Sequence, residues 1–251
     1  MNPENAVALQ TEEPGIARLI FQEREGSNTF THAFTEGLRL RLEEIRGRND
    51  LKVVVVHGYD SIFSAGGTQD ELIGILEKRI QFTDLDFLYK GFLTCPIPVI
   101  AAMQGHAMGG GFVMGLWADF VILAEERLYS ANFMKYGFTP GMGATMILRE
   151  RLGSLLANEM MFTARSFHGG ELASRGAPVR VAKKDQVIAE ALVLARHLAE
   201  KPRVALMELK RAIAGRLLKQ LPSVIEEELA MHEVTFAQAE VRSRILELFG
   251  K

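Results

Sequence analysis

Two glycine turns are the parts of this chain best suited to chemistry. Ser64-Ala65-Gly66-Gly67-Thr68 follows an apolar run at 53–62, and Gln104-Gly105-His106-Ala107-Met108-Gly109-Gly110-Gly111 follows another at 99–103. The second turn leads into residues 112–117, which read as a helix. A buried strand that passes through glycines into a helix leaves backbone N–H groups bare at a positive helix end, where an anion or an oxyanion can sit. In a parallel sheet both turns lie at the carboxyl ends of strands, where ligands bind. One N–H from each turn could hold the same oxygen, which would make an oxyanion hole. On spacing alone, tight turns with close packing account for the same glycines.

The surrounding elements must bring these turns together. Residues 16–21, 51–57, 98–103 and 120–124 read as strands, and 29–46, 70–80, 84–94 and 110–117 as helices. A loop at 132–143 leads to a further helix from about Ala144. Such alternation predicts an α/β fold with a mostly parallel sheet. Beyond residue 153 the segments 155–163, 187–199, 204–218 and 223–236 all read as helices, with a last short strand at 179–182. The expected organisation is a loosely held N-terminus at 1–14, an α/β core at 15–200 and a C-terminal helical region at 201–251.

Composition excludes several classes. The 251 residues are 48% apolar with a formal net charge of −2, so no nucleic-acid or membrane field is implied. The single cysteine, Cys95, rules out an intrachain disulfide and reads as a buried thiol. The N-terminus lacks the order of a signal peptide. The longest apolar region, 97–124, is broken by Gln104, His106, glycines and Asp119, which argues against a membrane span. A soluble, cytoplasmic protein is expected. His32, His57, His106, His168 and His197 have no metal-ligand spacing, so no metal is expected. His106 stands beside the glycines and is a candidate for shaping the site.

The run from Ile97 to Gly111 with Ala118-Asp119-Phe120, the stretch Phe63-Ser64-Ala65-Gly66-Gly67 and the loop from Tyr136 to Thr145 resemble the crotonase (enoyl-CoA hydratase/isomerase) superfamily. The resemblance covers nearly the whole chain in the same order. It implies the crotonase fold of ββα units, an acyl-thioester substrate and an enolate held by two backbone N–H groups, here those of Gly67 and Gly110. Hydratases of the family carry two glutamates, at the positions of Val113 and Phe133. Neither apolar residue can transfer a proton, so simple hydration is not expected.

Asn132-Phe133-Met134-Lys135-Tyr136-Gly137-Phe138-Thr139-Pro140, Gly66-Gly67-Thr68-Gln69 and Met231-His232-Glu233-Val234-Thr235-Phe236 resemble a narrower group, the decarboxylating homologues of polyketide β-branching cassettes. That resemblance implies decarboxylation of a 3-methylglutaconyl group carried on the phosphopantetheine of an acyl carrier protein, with no other cofactor. The product would be a 3-methylcrotonyl thioester or its β,γ isomer. The group's catalytic residues are a lysine in the segment after the first oxyanion donor and a histidine near the C-terminus. The histidine falls on His232 and the lysine on Lys78, with Lys90 as the other candidate. Lys78 would place the carboxylate and His232 would supply a proton. The family also implies a homotrimer or hexamer, with the C-terminal region at the interface. Two alternatives remain open: a CoA-dependent enoyl hydratase or isomerase, and a non-catalytic carrier-protein binder.

Overall fold

Ten strands and eleven α-helices fall within residues 2–249, which are those the computed structural model describes. The strands are β1 (Val7–Glu13), β2 (Ile16–Phe21), β3 (Val53–His57), β4 (Ile62–Ser64), β5 (Val99–Met103), β6 (His106–Met108), β7 (Phe120–Ala124), β8 (Leu128–Ser130), β9 (Phe167–His168) and β10 (Arg180–Ala182). The helices are α1 (Pro3–Ala6), α2 (His32–Gly47), α3 (Gln69–Leu76), α4 (Phe87–Lys90), α5 (Gly110–Leu116), α6 (Ala144–Leu152), α7 (Ser154–Thr163), α8 (Gly169–Ser174), α9 (Val187–Ala199), α10 (Arg203–Thr235) and α11 (Ala239–Leu248). A 3-10 turn covers Asn132–Tyr136.

Six strands form one sheet in the order β1-β2-β3-β5-β7-β10, parallel except for the β1–β2 hairpin. Runs of β-branched and aliphatic residues settle where both faces of a sheet are covered, and β3 and β5 are buried along their whole length. Alternation sends Val53 and Val55 to a core beneath Ala191 and Ala195 of α9, and Val54 and Val56 to the main core on the opposite face.

The second sheet, β4-β6-β8-β9, positions the site. After β3, β5 and β7 the chain passes directly into β4, β6 and β8, each three residues long. These repeated strand–strand steps carry the glycine turns out of the first sheet. The turns therefore follow β4 and β6, rather than directly following the long strands β3 and β5.

Several expected boundaries are corrected. Residues 7–13, expected to be loosely held, pair antiparallel with β2 as β1. The helix expected over 70–80 ends at Leu76, and that expected over 84–94 contracts to Phe87–Lys90 among turns. The two helices expected over 204–218 and 223–236 are one, α10, which runs through Pro222. That proline is exposed, so water can meet the carbonyl its missing N–H leaves unpaired. Among the described residues, no helix is long and apolar enough to cross a membrane.

Candidate active site

The parallel pairing of β4 and β6 places the two turns side by side, with Ile62 opposite His106 and Ser64 opposite Ala107. Gly66 (φ +86°) lies against the second turn: a Cβ built on it would stand 2.6 Å from Met108 O and 3.2 Å from Gly110 N. Only glycine permits that approach. The segment before α2 holds the first turn from behind. Asn28 Nδ2 donates to Phe63 O at 2.9 Å, Ser64 Oγ donates to Asn28 O at 2.7 Å, and Phe30 N–H donates to Gly66 O at 2.8 Å.

That last bond aims the first donor. In a trans peptide the C=O and the following N–H point in opposite directions. Because Gly66 C=O faces Phe30, the Gly67 N–H faces away from it. The second donor is set in the same way. Gly109 O accepts from Val113 N–H at 3.1 Å inside the first turn of α5, so Gly110 N–H points out of the helix. Both glycines line a shared cavity, and neither N–H is bonded to a protein group among the described residues. Gly110 has no room for a side chain, since a Cβ would lie 2.7 Å from Phe30 Cε2 and 2.9 Å from Met142 Sδ. The arrangement is two free donors at the joint of two cavity lobes, suited to an oxyanion that develops there.

The outer lobe, about 360 Å³, is open and partly polar, with Thr29, Asn132, Lys135, Tyr136 and Ser166 on its walls. The inner lobe, about 70 Å³, is walled by Phe30, Ile75, Ile80, Phe82, Leu85, Leu88 and Met142. Gly67, Leu72, Gly110 and Phe133 belong to both lobes. Glu71 and Gln81 are the polar side chains of the inner lobe.

His232 sits behind the inner lobe. Its Nε2 lies 2.9 Å from Thr139 O and 3.1 Å from Pro140 O. Both partners are acceptors, so Nε2 carries the hydrogen, while Nδ1 is buried without a partner. Burial pushes its pKa below the usual histidine value, against the opposing pull of the two backbone bonds. Phe82 stacks over the ring, and Phe82 and Met142 line both the inner lobe and a void of about 10 Å³ that His232 borders. One face of α10 grips the loop before α6. Glu228 accepts from Gly143 N–H, Thr145 N–H and Thr145 Oγ1 at 2.7, 2.9 and 2.6 Å, and Thr235 Oγ1 lies 3.3 Å from Thr139 Oγ1.

Lys78 lies outside the cavity. It occupies the left-handed position (φ +56°) that ends α3: Arg79 N–H donates to Gly74 O and Lys78 N–H to Ile75 O, the pair of bonds of a Schellman cap. Its Nζ pairs with Glu233 at 3.2 Å, with both side chains more than 70% exposed. Lys90 pairs with Asp86 at 2.7 Å, also away from both lobes.

His106 ties strands together rather than facing the cavity. Its Nδ1 accepts from Leu128 N–H at 3.0 Å, and burial lowers its pKa. Val113 is fully buried in α5, whereas Phe133 walls both lobes. Sequence reading passed over Glu71, although Thr68-x-x-Glu71 is a visible capping-box pattern. It also passed over Phe82, Met142 and Glu228, for which the sequence carries no local signal.

Known proteins share this fold and much of this sequence. A family model described as enoyl-CoA hydratase/isomerase matches residues 11–249. Bacillaene synthase decarboxylase PksI of Bacillus subtilis is 49% identical over 246 residues, covering 98% of each chain. A solved structure from a dehydratase/decarboxylase enzyme couple involved in polyketide β-branching superposes with a TM-score of 0.96 at 49% identity, over 98% of this chain and 100% of the other. The ECH2 decarboxylase domain of CurF from Lyngbya majuscula superposes with a TM-score of 0.93 at 39% identity, again over 98% and 100%.

Proposed function

This chain belongs to the enoyl-CoA hydratase/isomerase family, and from that premise we propose that it is a decarboxylase of polyketide β-branching. The substrate is a 3-methylglutaconyl thioester on the phosphopantetheine of an acyl carrier protein. Loss of CO₂ leaves an electron pair that spreads through the C=C bond onto the thioester oxygen. The Gly67 and Gly110 N–H groups hold that oxyanion, and proton transfer to the resulting dienolate gives the 3-methylcrotonyl thioester or its β,γ isomer. The observation that carries the reading is the pair of free, aimed N–H groups beside an apolar inner lobe, with Val113 and Phe133 in place of a hydratase's two acids. Decarboxylation needs no base to begin, so the absence of those acids is no obstacle. The chemistry calls on no metal or redox cofactor.

The open outer lobe suits a pantetheine arm entering from a carrier protein. Lys78 and His232 remain part of the proposal as the carboxylate-placing cation and a candidate proton donor. For either to touch substrate, residues 77–86, which carry both Lys78 and Phe82, must shift from their present packing. We place the protein in the cytoplasm as a homotrimer or hexamer. The exposed apolar side chains Val204, Leu209 and Ile213 of α10 support that assembly.

Mass spectrometry of the carrier-bound 3-methylglutaconyl thioester after incubation tests the reading. The expected product has lost the mass of one CO₂. Addition of water without CO₂ loss would establish the hydratase alternative, and an unchanged thioester the binding alternative.

A further inference from the structure

The inner lobe contains one ionisable side chain among the described residues, that of Glu71. Its two carboxyl oxygens have separate surroundings. Oε2 accepts from Thr68 N–H at 2.8 Å and from Thr68 Oγ1 at 3.1 Å, which closes the capping box of α3. Oε1 takes no hydrogen bond from the protein, and unlike Nδ1 of His232 it is not sealed from solvent. The carboxyl group stands close to the first oxyanion donor, since Oε2 would lie 3.8 Å from a Cβ on Gly67. Capping accounts for one oxygen and leaves the other without a structural task.

We propose that Glu71 is the acid that protonates the dienolate held by Gly67 and Gly110. The other two candidates are not placed to do this in the observed arrangement. The single ring proton of neutral His232 is committed to Thr139 O and Pro140 O, with Phe82 stacked over the ring. Lys78 faces Glu233 on the surface. Burial raises the Glu71 pKa, which favours the protonated form the step requires. In that step the O–H bond of the Glu71 carboxyl breaks and a C–H bond forms at the α- or γ-carbon. The oxyanion returns to a thioester carbonyl, and Glu71 is left as a carboxylate that water reprotonates.

The proposal rests on the decarboxylase reading for its substrate, yet its test does not depend on CO₂ release. By microscopic reversibility the Glu71 carboxylate removes the same proton from the product. Wild-type protein incubated with a 3-methylcrotonyl thioester in D₂O is therefore expected to exchange hydrogen into the acyl group, read by mass spectrometry and NMR. Glu71→Gln keeps an acceptor for the Thr68 cap and removes the acid, and exchange should fall about 10²- to 10⁴-fold. With the 3-methylglutaconyl thioester, the same variant should turn over more slowly and alter the ratio of α,β to β,γ product.

Thr68→Ala separates the acid from the cap, because it loosens the cap with the carboxyl in place. It should retain the wild-type isomer ratio even where its rate falls. The proposal is overturned if Glu71→Gln exchanges within about 2-fold of wild type, or if Thr68→Ala reproduces its isomer ratio. Wild-type exchange without CO₂ release would instead overturn the decarboxylase reading and leave the Glu71 assignment supported.

Discussion

Phe82 lies over His232 with ring centroids 4.5 Å apart and an interplanar angle of 31°. This contact puts a phenyl ring between the imidazole and the inner lobe, and burial lowers the imidazole's pKa. Phe82→Ala should let water reach the ring and raise the His232 pKa toward the ordinary histidine value. Phe82 is only partly buried, so the stability cost should fall below the about 3–5 kcal/mol of a fully buried phenylalanine. Histidine titration by NMR is the measurement, and an unmoved His232 pKa would mean that Phe82 is not what desolvates it.

The two proposed oxyanion donors differ in how they tolerate substitution. A Cβ on Gly67 would meet only Glu71 Oε2 at 3.8 Å, whereas one on Gly110 would strike Phe30 and Met142. Gly67→Ala keeps the N–H and should hold decarboxylation within about 10-fold of wild type. Gly67→Pro removes the donor and should cost about 10²- to 10³-fold in kcat. Equal rates for the alanine and proline variants would show that the Gly67 N–H does not bear the charge.

Lys78 has a structural task and a proposed chemical one, and the two can be separated. As a non-glycine residue at φ +56°, it should gain about 1 kcal/mol of stability on replacement by glycine. Its exposed pair with Glu233 subtracts little from that gain. Lys78→Gly should therefore melt higher while releasing CO₂ more slowly. A variant that melts higher at the full wild-type rate would remove Lys78 from the mechanism.

Much of this site was legible in the residues, and the remainder was hidden for physical reasons. The turns that hold Gly67 and Gly110 announce themselves because close backbone approach keeps Gly66 a glycine and the Phe30 and Met142 side chains crowd the position at Gly110. The strands β4, β6 and β8 did not, because three residues are too few to show a period of two. The early end of α3 was concealed by a lysine at a helix-terminating position where glycine is the usual signal. The grip of α10 on the loop before α6, through Glu228, His232 and Thr235, joins residues more than 80 positions apart. No local pattern encodes such a contact.

The apolar side chains of α10 make the assembly testable. Leu209 and Ile213 are 61% and 58% exposed, one helical turn apart, beside a groove lined by Phe120 and Leu206. Ile213→Glu should leave the isolated fold intact, because its side chain faces solvent there. Sedimentation velocity should show wild type as a trimer or hexamer and the variant as a smaller species. An unchanged sedimentation coefficient would take this face out of the interface.

His232 also makes a prediction about stability against pH. Its folded pKa lies below the 6.5 of an unperturbed histidine, so folding favours the neutral ring. That contribution is fully present above pH 6.5 and is lost as pH falls through 6.5 toward the folded pKa, since the unfolded chain then binds the proton more readily. His232→Gln retains an N–H donor for Thr139 O and Pro140 O but has nothing to titrate. Groups common to both proteins, including His57, Glu71 and Glu228 with their own shifts, cancel to first order in the difference. The stability of wild type relative to the variant should thus decline from about pH 8 to about pH 5.5, with a slope of up to about 1.4 kcal/mol per pH unit. Urea denaturation of both proteins across that range measures it. A difference that stays level, or grows in acid, would show that the His232 ring is not held neutral by the fold.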